Sequence, residues 1–320
     1  MRDAVQEATE QERRAWGKRP LPMLNVWSVT DSGLRKRRTV IAGNFQDLDP
    51  TAQRWTAQAE PGTIFMAAKL AALRGWKISK VDVKGAFLNA PIPPGELVLV
   101  QPPGQWVKWG IVKEHVVWKL NRAVYGLRQS PKWWGDERDR QLAKLRWSVG
   151  TSTYYLEQNV ADSQVWAMRR QGDNLATQGL LCVYVDDFLI LSEENPARKG
   201  LVEALLKIWE FGPERTLSPD TSITFLGIVW YMDGGGDIRL TQDRFTEELL
   251  VKYSKETCKP LRNVTMDKLP DEPDPPTAEQ LRDLQAFAGA FNWLATRTRP
   301  DVAYYTSVLA SASSRKRKWG

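Results

Sequence analysis

Asp186 and Asp187 are adjacent carboxylates placed between two apolar runs, Leu180 to Val185 and Phe188 to Leu191. Two like charges this close repel unless a cation lies between them. A solvated turn is the ordinary alternative, because Asp is common in turns. Turn aspartates usually come with Gly or Asn, however, and neither is present here. The pair therefore reads as a metal-binding tip on an apolar β-hairpin. Asp82 ends the strand-like segment KISKVDV. Alone it would more often be a cap or turn former. On a strand beside the dyad it supplies a third carboxylate, and such a set can hold two Mg²⁺ ions about 3.5–4 Å apart, at the attacking and leaving oxygens of a phosphoryl transfer. Mg²⁺ is the expected ion because it is hard and takes oxygen ligands, with Mn²⁺ as an alternative of the same preference.

The rest of the composition narrows the chemistry. Over 320 residues there are one histidine, His115, and two distant cysteines, Cys182 and Cys258. That set cannot build a usual zinc site, and a Ser-His-Asp or Cys-His mechanism would rest on His115 alone. The formal net charge of +7 favours an anionic partner, of which nucleic acid is the commonest. Fifteen tryptophans are many; most should pack, and some could stack on bases. No apolar run reaches the roughly 18 residues of a membrane span, and the charged N-terminus lacks a signal-peptide core. No membrane partner is expected, and the expected setting is intracellular, in a cytoplasmic particle or the nucleus.

The elements that must position the carboxylates can be read from patterning. Ile64 to Leu73 is alanine-rich and reads as a helix ending near Gly75. Lys77 to Val83, Leu97 to Val100 and Val116 to Leu120 read as strands. Ser130 as N-cap with Pro131 opens a helix to about Trp147, and Asn195-Pro196 opens another to about Phe211. Ile223 to Met232 and Ile238 to Leu240 flank DGGGD and read as a second hairpin. Thr241 to Lys255 reads as a helix. The acidic, proline-rich segment Leu269 to Pro276 is the best linker. Thr277 and Gln280 form a capping box before an apolar stripe from Leu281 to Leu294. Hairpins mixed with helices, without strict βαβ alternation, indicate an α+β protein with an antiparallel sheet.

Taken in order, KRRTVIAGNFQ (from Lys36), KVDVKGAFLNAPI (from Lys80), VWKLNRAVYGLRQSPKWW (from Val117) and YVDD (from Tyr184) resemble the reverse transcriptases of copia-type retrotransposons. FLGI, LTQDRF and FNWLATRTRPDVAY extend the resemblance to about Ala310. It implies a right-hand polymerase with fingers, a palm with an antiparallel sheet and a thumb-like connection, acting on dNTPs with an RNA or DNA template and primer. Asp82, Asp186 and Asp187 match the family's metal-binding triad, with the Val83 carbonyl as a further ligand. Gly85 and Ala86 match positions that offer backbone N–H groups to the triphosphate. Phe87 matches the aromatic that excludes a ribose 2′-OH; plain core packing is its ordinary alternative. Arg38, with Lys36 or Arg37, matches a basic fingers strand on the triphosphate, although a charge run is more often a solvated face. Tyr125 and Gly126 match the loop beneath the templating base and nucleotide. Lys207 falls where a palm helix could supply a proton donor to pyrophosphate, and FLGI resembles the primer grip.

The implied organisation is an N-terminal extension over 1–19, and fingers and palm over 20–231. Within it the fingers take 20–76 and parts of 93–135, and the palm takes 77–92 and 136–231. A primer-grip hairpin and thumb-like helix follow over 232–267, then a linker over 268–276 and a helical connection over 277–320. No Asp or Glu follows Asp301, so a ribonuclease centre for RNA–DNA hybrids is not expected within the chain. The rival reading is a catalytically silent nucleic-acid-binding remnant. A two-metal nuclease would share the carboxylates but would not explain Phe87 or YGLRQSP.

Overall fold

A computed structural model describes residues 3–29, 33–47, 56–173, 176–254 and 277–314, with side chains to residue 311. The linker segment, Cys258 and the basic C-terminal tail lie outside the described residues. The chain divides into two compact units, Met1–Arg215 and Thr216–Gly320.

The first unit contains two sheets. A five-stranded sheet runs in the order Val5–Glu7, Trp118–Leu120, Leu99–Gln101, Leu21–Val29, Arg35–Ile41. Its last two strands form a long antiparallel ribbon in which Val26 faces Arg38 and Ser28 faces Lys36. The segment read as an N-terminal extension thus supplies an edge strand, Val5–Glu7, and a capped helix, Glu10–Trp16. A seven-stranded sheet runs Arg215–Thr216, Lys77–Asp82, Asp187–Ser192, Gly179–Tyr184, Val165–Arg170, Ser152–Gln158, Arg146–Val149. From Lys77–Asp82 to Arg146–Val149 the neighbouring strands pair antiparallel. The expected α+β class with an antiparallel sheet is what the chain adopts.

The centre of this sheet explains why the sequence around the aspartates reads as uninterrupted apolar runs. Val81, Val183 and Phe188 face the main core together with Trp209 and Phe211. On the opposite face the helix Pro61–Leu73 lies against Asp187–Ser192, where Leu189 and Cys182 are also fully buried. A strand covered on both faces carries apolar residues at every position rather than at alternate ones. Burial holds the Cys182 thiol well above its ordinary range, so it is an inert core residue.

Several boundaries differ from expectation. Ser130 is not the cap of its helix: Gln129 takes that position. Ser130 is buried, and its hydroxyl donates to the Val124 carbonyl at 2.7 Å and accepts from the Val124 N–H at 3.1 Å. The helix ends at Lys144, and Trp147 lies in the next strand, stacked on Tyr154 with its indole N–H on the Ala197 carbonyl. The following helix is Pro196–Leu206, shorter than expected because a turn over 207–209 turns Trp209 and Phe211 into the core. Asn195 caps it through the Arg198 N–H, as the sequence indicated.

In the second unit, Ile223 to Met232 is two strands rather than one. Ile223–Phe225 and Ile228–Met232 are joined by a tight turn at Leu226 and Gly227, both at positive φ, and Ile238–Thr241 completes a three-stranded sheet. Helix Asp243–Lys252 follows. The helix Ala278–Ala295 has the expected capping box, with Thr277 accepting from the Gln280 N–H.

Candidate active site

Asp82 ends one central strand and Asp187 begins its neighbour, and the two residues face each other in the ladder. Asp186 lies in the two-residue turn between Tyr184 and Asp187, which themselves pair. The three side chains offer carboxylate oxygens that all lie within 4.8 Å of one another. Asp82 is exposed, and the dyad is half-buried. The tip is tied to the neighbouring strand by the Val83 N–H, which donates to the Asp186 carbonyl at 2.9 Å. Val83 itself is buried and bridges Phe211.

The electrostatics are those of a crowded anionic site. Burial pushes the Asp187 carboxyl up to about 6, and a hydrogen bond with Asp82 and then the Asp186 charge add to the rise. Burial also raises Asp186, with the Asp82 charge next in effect. Lys80 opposes this, its ammonium lying 2.8 Å from Asp187 Oδ1. Lys80 was not singled out from the sequence. Its signal was there, since strand residues two apart share a face and Lys80 precedes Asp82 by two. An all-oxygen donor set with raised carboxylates suits a hard divalent cation, which would relieve the repulsion.

The other expected residues surround the triad to different degrees. Gly85 is in the left-handed region at φ 58 and leads into the short 3₁₀ turn Ala86–Asn89, with Ala86 buried. Phe87 on that turn is partly buried, its ring edge-on to Tyr125 at 4.6 Å between centroids. Tyr125 is close enough to the cluster that Asp186 and Asp82 raise its hydroxyl while Arg38 lowers it, burial being the largest cause of the net rise. Arg38 also acts on Asp186. Lys36 shares the Arg38 face of the ribbon by strand alternation. Arg37 is on the other face, within cation–π range of Trp27 and Trp106.

Gly126 has a plain steric reason to be glycine. At φ 89, a Cβ there would lie 2.0 Å from the Ile41 carbonyl oxygen. Gly43 packs equally tightly, its would-be Cβ 2.0 Å from the Gly126 oxygen. The Ile41 N–H donates to the Tyr125 carbonyl at 2.8 Å, so the YGLRQSP loop is locked to the end of the basic strand. Lys207 is exposed at the C-cap of Pro196–Leu206, and no described contact links it to the triad.

Two supporting networks gave no sequence signal. Arg198, 2% exposed, donates to Ser192 at 3.1 Å, to Ser79 and to Glu214 at 2.7 Å, joining the helix to both strands that lead to the carboxylates. Arg138, 1% exposed, reaches Asp139, Gln164 and the Val185 carbonyl. A 260 Å³ cavity lined by Pro22, Gln101, Lys113 and His115 among others lies at the five-stranded sheet and shares no residue with the triad.

Residues 18–266 match the family model described as Reverse transcriptase (RNA-dependent DNA polymerase). The chain is 27% identical over 310 residues to the Retrovirus-related Pol polyprotein from transposon TNT 1-94 of Nicotiana tabacum, covering 92% of this chain and 22% of that one. It is 27% identical over 248 residues to the Pol polyprotein from transposon RE2 of Arabidopsis thaliana, covering 74% of this chain and 15% of that one. The chain thus spans about a fifth or less of the length of these relatives. Among solved structures, a foamy viral protease-reverse transcriptase in complex with double-stranded DNA aligns with a TM-score of 0.47 at 14% identity, covering 97% of this chain and 41% of that one.

Proposed function

The chain belongs to the reverse transcriptase family, on its copia-type retrotransposon side, and from that premise we propose that it is an RNA-directed DNA polymerase core. It adds dNTPs to a primer 3′-OH under the direction of an RNA or DNA template. The observation that carries this reading is the convergence of Asp82, Asp186 and Asp187 oxygens within 4.8 Å on two paired strands. Beside them lie an aromatic pair, Phe87 and Tyr125, and a basic strand whose Arg38 charge acts on the site.

In this reading the seven-stranded sheet belongs to the palm and the five-stranded sheet to the fingers. Asp82, Asp186 and Asp187, with the Val83 carbonyl, would hold two divalent cations, Mg²⁺ or Mn²⁺. When bound, those ions supply charge neutralisation at the attacking and leaving oxygens. The protein's own work is positioning, which phosphoryl transfer needs more than covalent help. Arg38 and Lys36 take the triphosphate of the incoming dNTP, and the Gly85 and Ala86 N–H groups help to cradle it. Phe87, braced edge-on by Tyr125, fills the space of a 2′-OH. The YGLRQSP loop, locked by its glycine contacts, supports the templating base and nucleotide. The hairpin containing FLGI serves as primer grip. Template and primer are held mainly through phosphates, so binding weakens steeply with salt.

The test is primer extension on poly(rA)/oligo(dT) with Mg²⁺, using Asp186→Asn as the control. Extension by the wild type that falls by orders of magnitude in the variant supports the reading. Template binding without extension in any divalent ion returns the silent remnant instead.

A further inference from the structure

The turn that carries Asp186 is unusual in one respect. Val185 sits at φ 54, in the left-handed region. A β-branched residue there is a strained outlier that persists only when its surroundings over-determine it. Glycine or asparagine would occupy such a turn position without that strain.

What over-determines it is visible in the hydrogen bonds. The Val185 carbonyl accepts from the Trp134 indole Nε1 at 2.7 Å and from Arg138 Nη1 at 3.2 Å. Both donors come from one helix, Ser130–Lys144, and are one turn apart, so they lie on the same helix face. Both residues are about 1% exposed. Trp134 is fixed by packing edge-on against Trp209 at 5.5 Å. Arg138 is fixed by Asp139 and by the side-chain oxygen of the buried Gln164, whose main-chain carbonyl accepts the Val183 N–H at 2.9 Å. The two donors and the Val83 N–H therefore hold both successive tip carbonyls, those of Val185 and Asp186.

We propose that Trp134 and Arg138 are positioning residues that hold the Val185–Asp186 peptide in its strained orientation and so aim the Asp186 carboxylate at Asp82 and Asp187. The proposal rests on the polymerase reading for its catalytic consequence. The aiming itself concerns the metal site alone. A neutral carbonyl bound by a buried indole and a buried guanidinium is a stiff support, because few other geometries satisfy all three groups. Without the clamp the turn relaxes toward an ordinary φ at Val185, and the Asp186 side chain swings with the peptide plane.

The test uses the full chain and three readouts: kcat and KM in single-nucleotide primer extension, Mn²⁺ affinity by electron paramagnetic resonance without nucleic acid, and thermal midpoint. Trp134→Phe keeps an aromatic ring against Trp209 and removes the N–H together with the five-membered half of the indole. It is expected to lower kcat about tenfold, the rate equivalent of one hydrogen bond. Mn²⁺ binding should weaken several-fold with KM near wild type; the midpoint falls with the lost ring volume by the same amount in both backgrounds of the cycle below, so it does not decide the outcome. Arg138→Met should act in the same direction, with Arg138→Lys recovering part of the loss. In a Val185→Gly background, where φ 54 carries little strain, Trp134→Phe should cost about twofold or less. Wild-type kcat and Mn²⁺ affinity in Trp134→Phe, or an equal fold loss in both backgrounds, overturns the proposal. If Arg138→Met does not fold, the Trp134→Phe cycle decides. If the wild type extends no primer, the polymerase reading fails, and the Mn²⁺ affinities still decide the clamp.

Discussion

The half-buried Asp187 makes a prediction whose sign depends on pH and on metal. Its carboxyl is pushed from an ordinary 3.8 up to about 6 by burial, by a hydrogen bond with Asp82 and by the Asp186 charge, against the pull of Lys80. A folded-state value above the unfolded one means that the native protein binds this proton more tightly. The stability from that proton is fully present below about pH 4 and is lost as pH rises through about 6. Above that range the metal-free protein carries an unrelieved charge. Two pKa units correspond to about 3 kcal/mol as an upper bound. Solvent reaches part of the group, since its side chain is 20% exposed, which lowers the realistic figure to about 1–2 kcal/mol. Asp187→Asn keeps the volume and removes the charge, and the raised value already includes the opposing pull of Lys80. In EDTA at pH 8 the variant should therefore be more stable than wild type by about 1–2 kcal/mol, a rise of roughly 2–8 °C in midpoint for a unit of this size. At pH 4 the difference should vanish. Adding Mg²⁺ should reverse the order, because the ion stabilises only the state that binds it, in proportion to ln(1 + [Mg²⁺]/Kd). Calorimetry of both proteins at the two pH values, with and without Mg²⁺, reads all three effects. A variant that is less stable than wild type by the same amount at pH 4 and pH 8 would show that Asp187 is a structural hydrogen-bonding residue, and the repulsion argument would be refuted.

Other expectations concern the surroundings of the triad. Phe87→Ala should raise rNTP use relative to dNTP use on the order of tenfold in competing single-turnover reactions, because the ring occupies the 2′-OH space; an unchanged ratio would make Phe87 a packing residue only. Arg38→Ala should raise KM for dNTP about tenfold, the worth of a charge-assisted hydrogen bond, with template-primer affinity within about twofold; an unaltered KM would remove Arg38 from the triphosphate. Gly126→Ala should destabilise the first unit by at least about 2 kcal/mol in urea unfolding, since its Cβ meets a backbone oxygen and its φ is positive. A loss under about 0.5 kcal/mol, the level of a surface substitution, would mean that the loop can shift away from Ile41.

The residue types and spacing determined a good deal without coordinates. Two apolar runs flanking Asp186-Asp187 dictate a hairpin whose tip must be polar, because both faces of its strands are covered and only the end can reach solvent. Asp82, at the end of KISKVDV, is in the equivalent place on its own strand, and the motif order named its neighbour. The capping box at Thr277 and the cap at Asn195 are local chemistry and were legible for that reason. What lay beyond the sequence is what depends on distant partners. Ser130 has the composition of a cap, yet its hydroxyl is spent on Val124 in a buried loop. Trp147 follows a helical segment, yet its stacking on Tyr154 and its bond to Ala197 put it in a strand. Arg138 reads as one more charge in a polar helix. Only packing takes it out of water and sets it on the Val185 carbonyl, 47 residues away in the chain. Local pattern decides which groups are available near the carboxylates. Tertiary structure alone decides which of them are desolvated against one another, and it is desolvation that turns a surface charge into a support for the site.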